Sequence, residues 1–289
     1  MHQAFLPSEL IINKDGSIYH LGIKPDELAK NIIVVGDQHR VKEISKYFQS
    51  IEVQKQHREF VCHTGLYNNK RISVISTGIG TDNIDIVLNE LDALVNIDFE
   101  TRTEKDNKTH LNIVRIGTCG ILQADIPVDS FILSSHALGI DNIAHFYDFD
   151  VEHETENLLS TIQERVSFPS NIVPYLTPSS QKLNNKLRSE QTFHGITVTS
   201  SGFYGPQGRK LRVPLKKERL IDDLSDFKEN THRFTNLEME CSALFALSFA
   251  LGHEATAICL GLANRKTKSF SKNYTKRMES LIQYVLSRL

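Results

Sequence analysis

The chain has no excess of positive charge, few cysteines and no long apolar run, and each shortage removes a class of function. With 33 Lys and Arg against 35 Asp and Glu in 289 residues, the formal net charge is -2. No broad basic surface is therefore available for the phosphates of a nucleic acid, and any basic cluster has to be local. The four cysteines, Cys62, Cys119, Cys241 and Cys259, are scattered, with no Cys-x-x-Cys pair and no zinc-type spacing. Free thiols are expected, with no disulfide and no structural metal. The longest apolar run, Ala243 to Leu251, is far shorter than the roughly 20 residues a membrane-crossing helix needs. Met1 to Pro7 lack the cationic start and apolar core of a secretory leader, so the expected location is the cytoplasm, with no membrane partner. What is present is ordinary material for a buried core, 40% hydrophobic and 24% charged residues. Units of mixed α/β type often reach this length as one body, so a single domain over 1–289 is expected.

Apolar runs of buried-strand type alternate with stretches of helical spacing. Strands are expected at Ile32 to Val35, Val61 to Leu66, Arg71 to Ser76, Phe131 to Ser134, His194 to Ser201 and Ala255 to Leu260. Helices are expected at Val41 to Phe48, Asp82 to Val95, Glu156 to Val166, Gln181 to Arg188, Cys241 to Leu251 and Tyr274 to Leu289, with a short one over Pro25 to Ala29. Glu100 to His110, His145 to Thr155 and Lys210 to Arg233 are polar and read as loops or surface excursions. This alternation implies a layered α/β fold.

The stretch Leu111 to Gly120 runs apolar strand residues into Arg115 and then reaches Gly117 and Gly120, where a turn is expected. Glycines let backbone N–H groups approach a ligand, and an arginine beside them adds a planar charged fork suited to phosphate. An arginine paired with a carboxylate at a strand end fits the same ten residues. Arginines recur beside expected strand ends, at Arg40, Arg58, Arg115, Arg209 and Arg265. In open α/β sheets ligands bind beyond the carboxyl ends of the strands, so several of these could converge on one anion. Gly78-x-Gly80 begins like a dinucleotide fingerprint, but Asn83 stands at the third glycine position, which argues against a Rossmann cofactor site.

Taken in order, several segments resemble the nucleoside phosphorylase superfamily, in its uridine-cleaving branch. They are Tyr19-His20-Leu21-Gly22, Val35-Gly36-Asp37 with Arg40-Val41, His57-Arg58-Glu59-Phe60, Ser76-Thr77-Gly78-Ile79-Gly80 and Arg115-Ile116-Gly117-Thr118. Phe203-Tyr204 with Gln207 and Arg209, Glu238-Met239-Glu240, and Asn264-Arg265 complete the set. The resemblance implies a single three-layer α/β/α domain with a mixed, partly barrel-like central sheet. It implies phosphate-dependent cleavage of a nucleoside to free base and ribose 1-phosphate, with no cofactor. By the same resemblance, Gly36, Arg40, Arg115 and Thr118 hold phosphate, with Arg58 reaching in from a neighbouring subunit. Glu240 and Met239 bind ribose, with His20 from that neighbour. Gly120, Phe203, Gln207, Arg209 and Arg265 surround the base, and the catalytic set is Arg115, Glu240, Arg209 and Gln207.

Two departures carry weight. Purine-cleaving relatives tend to place an Asp where this chain has Asn264, which favours pyrimidines. Relatives that bind a monovalent cation use the Glu at the position of Glu59 and a Ser where this chain has Asn83, so such a site is not expected. The resemblance implies a homodimer, or a hexamer built as a trimer of dimers, with shared sites. A purine-cleaving enzyme, a hydrolytic nucleosidase of the same fold and a non-catalytic nucleoside sensor remain as alternatives.

Overall fold

The computed structural model describes residues 3–289. Among them are thirteen strands: β1 (Asn31–Val35), β2 (Ser50–His57), β3 (Phe60–Tyr67), β4 (Lys70–Ser76), β5 (Ile97–Asp98), β6 (Thr103–Glu104), β7 (Asn112–Ile121), β8 (Phe131–Gly139), β9 (Tyr175–Pro178), β10 (Thr192–Thr199), β11 (Lys228–Glu229), β12 (His232–Glu238) and β13 (Glu254–Asn264). Seven α-helices accompany them: α1 (Gln38–Ser45), α2 (Thr81–Asn96), α3 (His153–Arg165), α4 (Gln181–Leu187), α5 (Leu220–Asp226), α6 (Cys241–Ala250) and α7 (Tyr274–Leu286). None of these helices is long and apolar enough to cross a membrane.

Eleven strands form one mixed sheet, ordered β11-β12-β10-β8-β13-β7-β1-β4-β3-β2, with β9 beside β8. The antiparallel pairing of β12 with β7, Asn236 to Ile121 and Leu237 to Gly120, closes part of this sheet on itself. The ring β7-β12-β10-β8-β13 is the barrel-like half, and β1, β4, β3 and β2 extend from it as an open sheet. Helices cover the open part on both faces. That is why β1 is apolar at every position from Ile32 to Val35: Ile32 and Val34 enter one core with α2 and α6, while Ile33 and Val35 enter the other with α1 and α7. α2 buries Ile84, Val87, Leu88, Leu91 and Leu94, the stripe its spacing predicts. α6 is buried along Cys241 to Ser248, which explains its unbroken apolar composition.

The expected turn at Gly117 and Gly120 does not occur: β7 continues through both glycines to Ile121. Crowding inside the barrel explains the glycine. A Cβ at Gly117 would lie 2.9 Å from Cys259 Sγ and 3.2 Å from Arg115 Nη2, so Gly117 makes room for the arginine side chain of its own strand. The expected end of the last strand before Gly261 fails for the same reason. β13 runs on to Asn264, and a Cβ at Gly261 would sit 2.5 Å from Ile121 Cδ1. The polar stretch from 210 to 233 hides α5, β11 and the start of β12. β12 lacks a clear apolar period because its buried positions include Thr235 and Asn236, which hydrogen-bond inside the barrel; Thr197 Oγ1 donates to Asn236 Oδ1 at 3.0 Å. β2 is an exposed, polar edge strand and lacks an apolar signal. The expected loop at His145 to Thr155 is entered by a short 3-10 turn, Ile143–Phe146, and ends where α3 begins at His153.

Candidate active site

β4, β1, β7 and β13 run parallel, and their carboxyl ends open one crevice. At its floor Arg115 is paired in register with Val34 of β1 and Ala257 of β13. The loops after β1 and β4 press together: Thr77 N–H donates to Val35 O at 2.7 Å, and a Cβ at Gly36 would lie 3.3 Å from Gly78 O.

Arg115 is 4% exposed and lies between two equally buried carboxylates. Its Nη2 donates to Glu240 Oε2, and its Nε is 3.5 Å from Glu238 Oε2. The carboxylate pairing that the decapeptide allowed is thus present. Glu240 occupies the N-cap position of α6, yet its side chain does not cap the helix. Its Oε1 instead accepts from Gly80 N–H at 2.9 Å, at the start of α2. Glu238 is spent on bracing: it accepts from Thr199 Oγ1 at 2.5 Å and from the backbone N–H of Glu240 at 2.8 Å and of Cys241 at 3.0 Å. Burial first and then the negative charge of Glu240 push the Glu238 carboxyl up to about 7, against the pull of Arg115. Burial disfavours the Arg115 cation, but Glu240 and Glu238 more than offset it and hold the guanidinium above the usual arginine value.

Arg40 comes from α1 and is also buried, at 6% exposure. Its Nη1 donates to Ile116 O at 3.3 Å and its Nη2 to the hydroxyl of Tyr274 at 2.9 Å. Nε of Arg40 and both Nε and Nη1 of Arg115 are buried with no hydrogen-bond acceptor among the described residues. Leaving a buried polar donor unsatisfied costs about 1–3 kcal/mol, and more for a charged one. Arg40 meets β7 at Ile116, the residue after Arg115, so these three donors lie along one segment of that strand. Half-buried Thr118 stands three residues beyond Arg115 on β7.

A second group sits where β10 gives way to the loop 200–209. Gln207 is 2% exposed; its Nε2 donates to Glu238 O at 3.4 Å and its Oε1 accepts from Arg209 Nη1 at 2.6 Å. Arg209 also donates to Phe203 O at 2.6 Å and lies 3.7 Å over the Phe203 ring. Arg265 Nη1 holds Gln207 O at 2.9 Å. Burial and the like charge of Arg265 push Arg209 down to about 10, which leaves it cationic at neutral pH. A Cβ at Gly120 would be in ordinary contact with Arg209 Nη2 at 3.8 Å and Arg265 Cδ at 3.9 Å, which places both arginines beside that position of β7. Half-buried Met239 lies in the chain between the two glutamates. The Gln207 contact to Glu238 joins this group to the Arg115 group.

The structure therefore brings Arg40, Arg115 and Glu240 together, and separately Gly120, Phe203, Gln207, Arg209 and Arg265. It does not bring in Arg58 or His20. Arg58 sits in the β2–β3 hairpin turn at φ 54°, exposed, with its guanidinium 5.9 Å from the Tyr19 ring centre. His20 is tied to Glu90, with Nδ1 2.7 Å from Oε1 and the backbone N–H 2.9 Å from the same oxygen. Neither touches the Arg115 group within the chain. Gly80 stands in one of the motifs above, but neither it nor Tyr274 is assigned a role in the site from sequence. The signal for Gly80 is its place in Gly78-Ile79-Gly80 just before the helical period of α2, and for Tyr274 its place four residues before Met278 at the start of α7. Asn264 is fully engaged: its Nδ2 donates to Gln123 O and Ile126 O, both at 2.9 Å, and its Oδ1 accepts from the N–H of Lys266 and Thr267. Among the described residues no group of His, Cys, Asp and Glu side chains is arranged to hold a metal ion.

Residues 30–287 match a family model described as the phosphorylase superfamily. A uridine phosphorylase of Thermococcus kodakarensis is 28% identical over 280 residues, covering 94% of this chain and 86% of that protein. A crystal structure of a Trypanosoma brucei nucleoside phosphorylase, described as showing uridine phosphorylase activity, superimposes with a TM-score of 0.88 at 32% identity, covering 97% of this chain and all of the other, 100%. A DeoD-type purine nucleoside phosphorylase of Alkaliphilus metalliredigens is 36% identical over 119 residues, but that match covers 41% of this chain and 46% of the relative.

Proposed function

The chain belongs to the phosphorylase superfamily, and from that premise we propose that it cleaves uridine with inorganic phosphate to give uracil and ribose 1-phosphate. The observation that carries this reading is the cradle of buried guanidinium N–H groups on Arg40 and Arg115 beside the Glu240 carboxylate. A hydrolase would present water to the sugar and has no use for two buried cations with donors to spare.

In the proposed reaction a phosphate oxygen forms a bond to the ribosyl C1′ as the bond from C1′ to uracil N1 breaks. The electron pair leaves with the base and spreads onto its carbonyl oxygens. Arg40, Arg115, Thr118 and the Gly36 backbone hold the phosphate, which positions the nucleophile and lowers the entropic part of the barrier. Glu240 accepts from the ribose hydroxyls, held in place by Arg115 and Gly80. Phe203 covers the uracil ring. Gln207 pairs with an edge that offers one acceptor and one N–H, and Arg209 donates to a carbonyl that gains charge in the transition state. Electrostatic stabilisation of the leaving base takes the place of a general acid. The engaged amide of Asn264 offers nothing to protonate a purine, which supports pyrimidine preference.

His20 and Arg58 fit this scheme as residues donated across a two-fold interface, in a homodimer or a trimer of dimers. No cofactor enters, since phosphate is a co-substrate. The test is base release from uridine, inosine and thymidine with and without phosphate. The reading predicts that release from uridine requires phosphate and exceeds release from inosine. Release that ignores phosphate, or inosine cleaved faster than uridine, overturns it.

A further inference from the structure

Tyr274 touches Arg40 through its hydroxyl and is not among the residues that the resemblance implies for the site. It is the first residue of α7, one turn before Met278, and Met278, Leu281, Ile282 and Val285 anchor that helix in the core. The packing of α7 therefore fixes where the Tyr274 ring goes. Its hydroxyl oxygen accepts from Arg40 Nη2 at 2.9 Å, and its own hydrogen has no acceptor among the described residues. Together with Ile116 O on Nη1, this contact holds the Arg40 guanidinium at two points. The donors left over are Nε–H, buried without a partner, and the remaining hydrogens of the two terminal nitrogens.

Geometry then places the phenol beside whatever Arg40 binds. The two acceptors of a single guanidinium NH2 group stand roughly 5 Å apart. A tetrahedral phosphate on the Nε and Nη2 edge carries a second oxygen toward the phenol and closes that gap. A phenol is a neutral donor, so it adds a hydrogen bond to a dianion that already faces two cations. At 37% exposure the residue is open to solvent, so a small anion can reach its hydroxyl. We infer that Tyr274 belongs to the phosphate site: it positions Arg40 and donates its O–H to the bound phosphate. This inference rests on the phosphorolytic reading above.

The experiment compares wild type with Tyr274→Phe and Tyr274→Leu. It uses kinetics in which phosphate and uridine are varied separately, and calorimetric titration with inorganic phosphate. Tyr274→Phe is expected to weaken phosphate binding and raise the phosphate KM about 10-fold, equivalent to ~1.4 kcal/mol, with the uridine KM unchanged. Tyr274→Leu, which also removes the ring, is expected to show at least the same phosphate loss. A Phe variant that binds phosphate like wild type while the Leu variant fails shows that only the ring matters, and overturns the inference. Equal losses for phosphate and uridine in the Phe variant also overturn it, because they indicate general loosening. A wild-type protein that neither binds nor requires phosphate overturns the phosphorolytic reading and this inference with it. Phosphate-dependent wild type with an unaffected Phe variant overturns this inference alone.

Discussion

Replacing Arg115 by alanine should cost stability as well as activity, and the stability loss should depend on pH in a way that identifies its cause. Arg115 is the shared counter-ion of Glu238 and Glu240, all three nearly excluded from solvent. Removing one partner of a buried ion pair costs about 3–5 kcal/mol, because the other charge is left uncompensated. In the wild type the Glu238 carboxyl is already raised to about 7 from a reference of 4.5. A carboxyl raised in the folded state stabilises the fold fully below its unfolded value, and that contribution is lost as pH rises toward the folded value. For wild type this loss is therefore complete a little above pH 7. Without Arg115 the Glu238 carboxyl rises further, so the variant keeps losing stability above pH 7, by up to about 1.4 kcal/mol per pH unit while that group titrates. Urea unfolding at pH 5.5, 7.0 and 8.5 measures this directly. The deficit of Arg115→Ala should widen with pH, and adding Glu240→Gln should restore part of the stability but none of the phosphorolysis. A deficit constant across the three pH values, or an alanine variant with wild-type phosphate kinetics, would refute the paired-carboxylate account of this site.

Gly117→Ala should lower both activity and stability, the latter by about 1–3 kcal/mol, because the added methyl meets Cys259 Sγ at 2.9 Å and displaces Arg115; a fully active, stable variant would show that Arg115 has slack. Gln207→Ala and Arg209→Ala should each reduce uridine turnover while leaving the phosphate KM within about two-fold, since both lie in the group around loop 200–209; a rise confined to the phosphate KM would move them out of the base pocket. Arg58→Ala and Arg115→Ala should each be nearly inactive, yet co-expressed they should regain about a quarter of wild-type sites, because half of randomly paired two-fold dimers are hybrids with one intact site. No recovery in a preparation shown to contain hybrids would mean that Arg58 is not donated across an interface.

Sequence alone determined the order of most elements and the chemistry of the residues that meet in the crevice. Burial on one face of a helix or on both faces of a strand leaves a period that each short stretch carries by itself. Ile32 to Val35, Ile84 to Leu94 and Met278 to Val285 are therefore legible without knowledge of their neighbours. Strands with polar interiors, such as β12, carry no such period, and glycines at Gly117 and Gly261 look like turns until the strand across from them is known. Only the tertiary structure decided which charges meet. Arg115 and Glu240 are 125 positions apart, and Arg40 and Tyr274 are 234 apart, so no local pattern couples them. Their pairing follows from the closure of β12 onto β7 and the packing of α7 against the sheet. Those long-range events place unsatisfied guanidinium N–H groups in one crevice, and leave Arg58 and His20 outside it in the single chain.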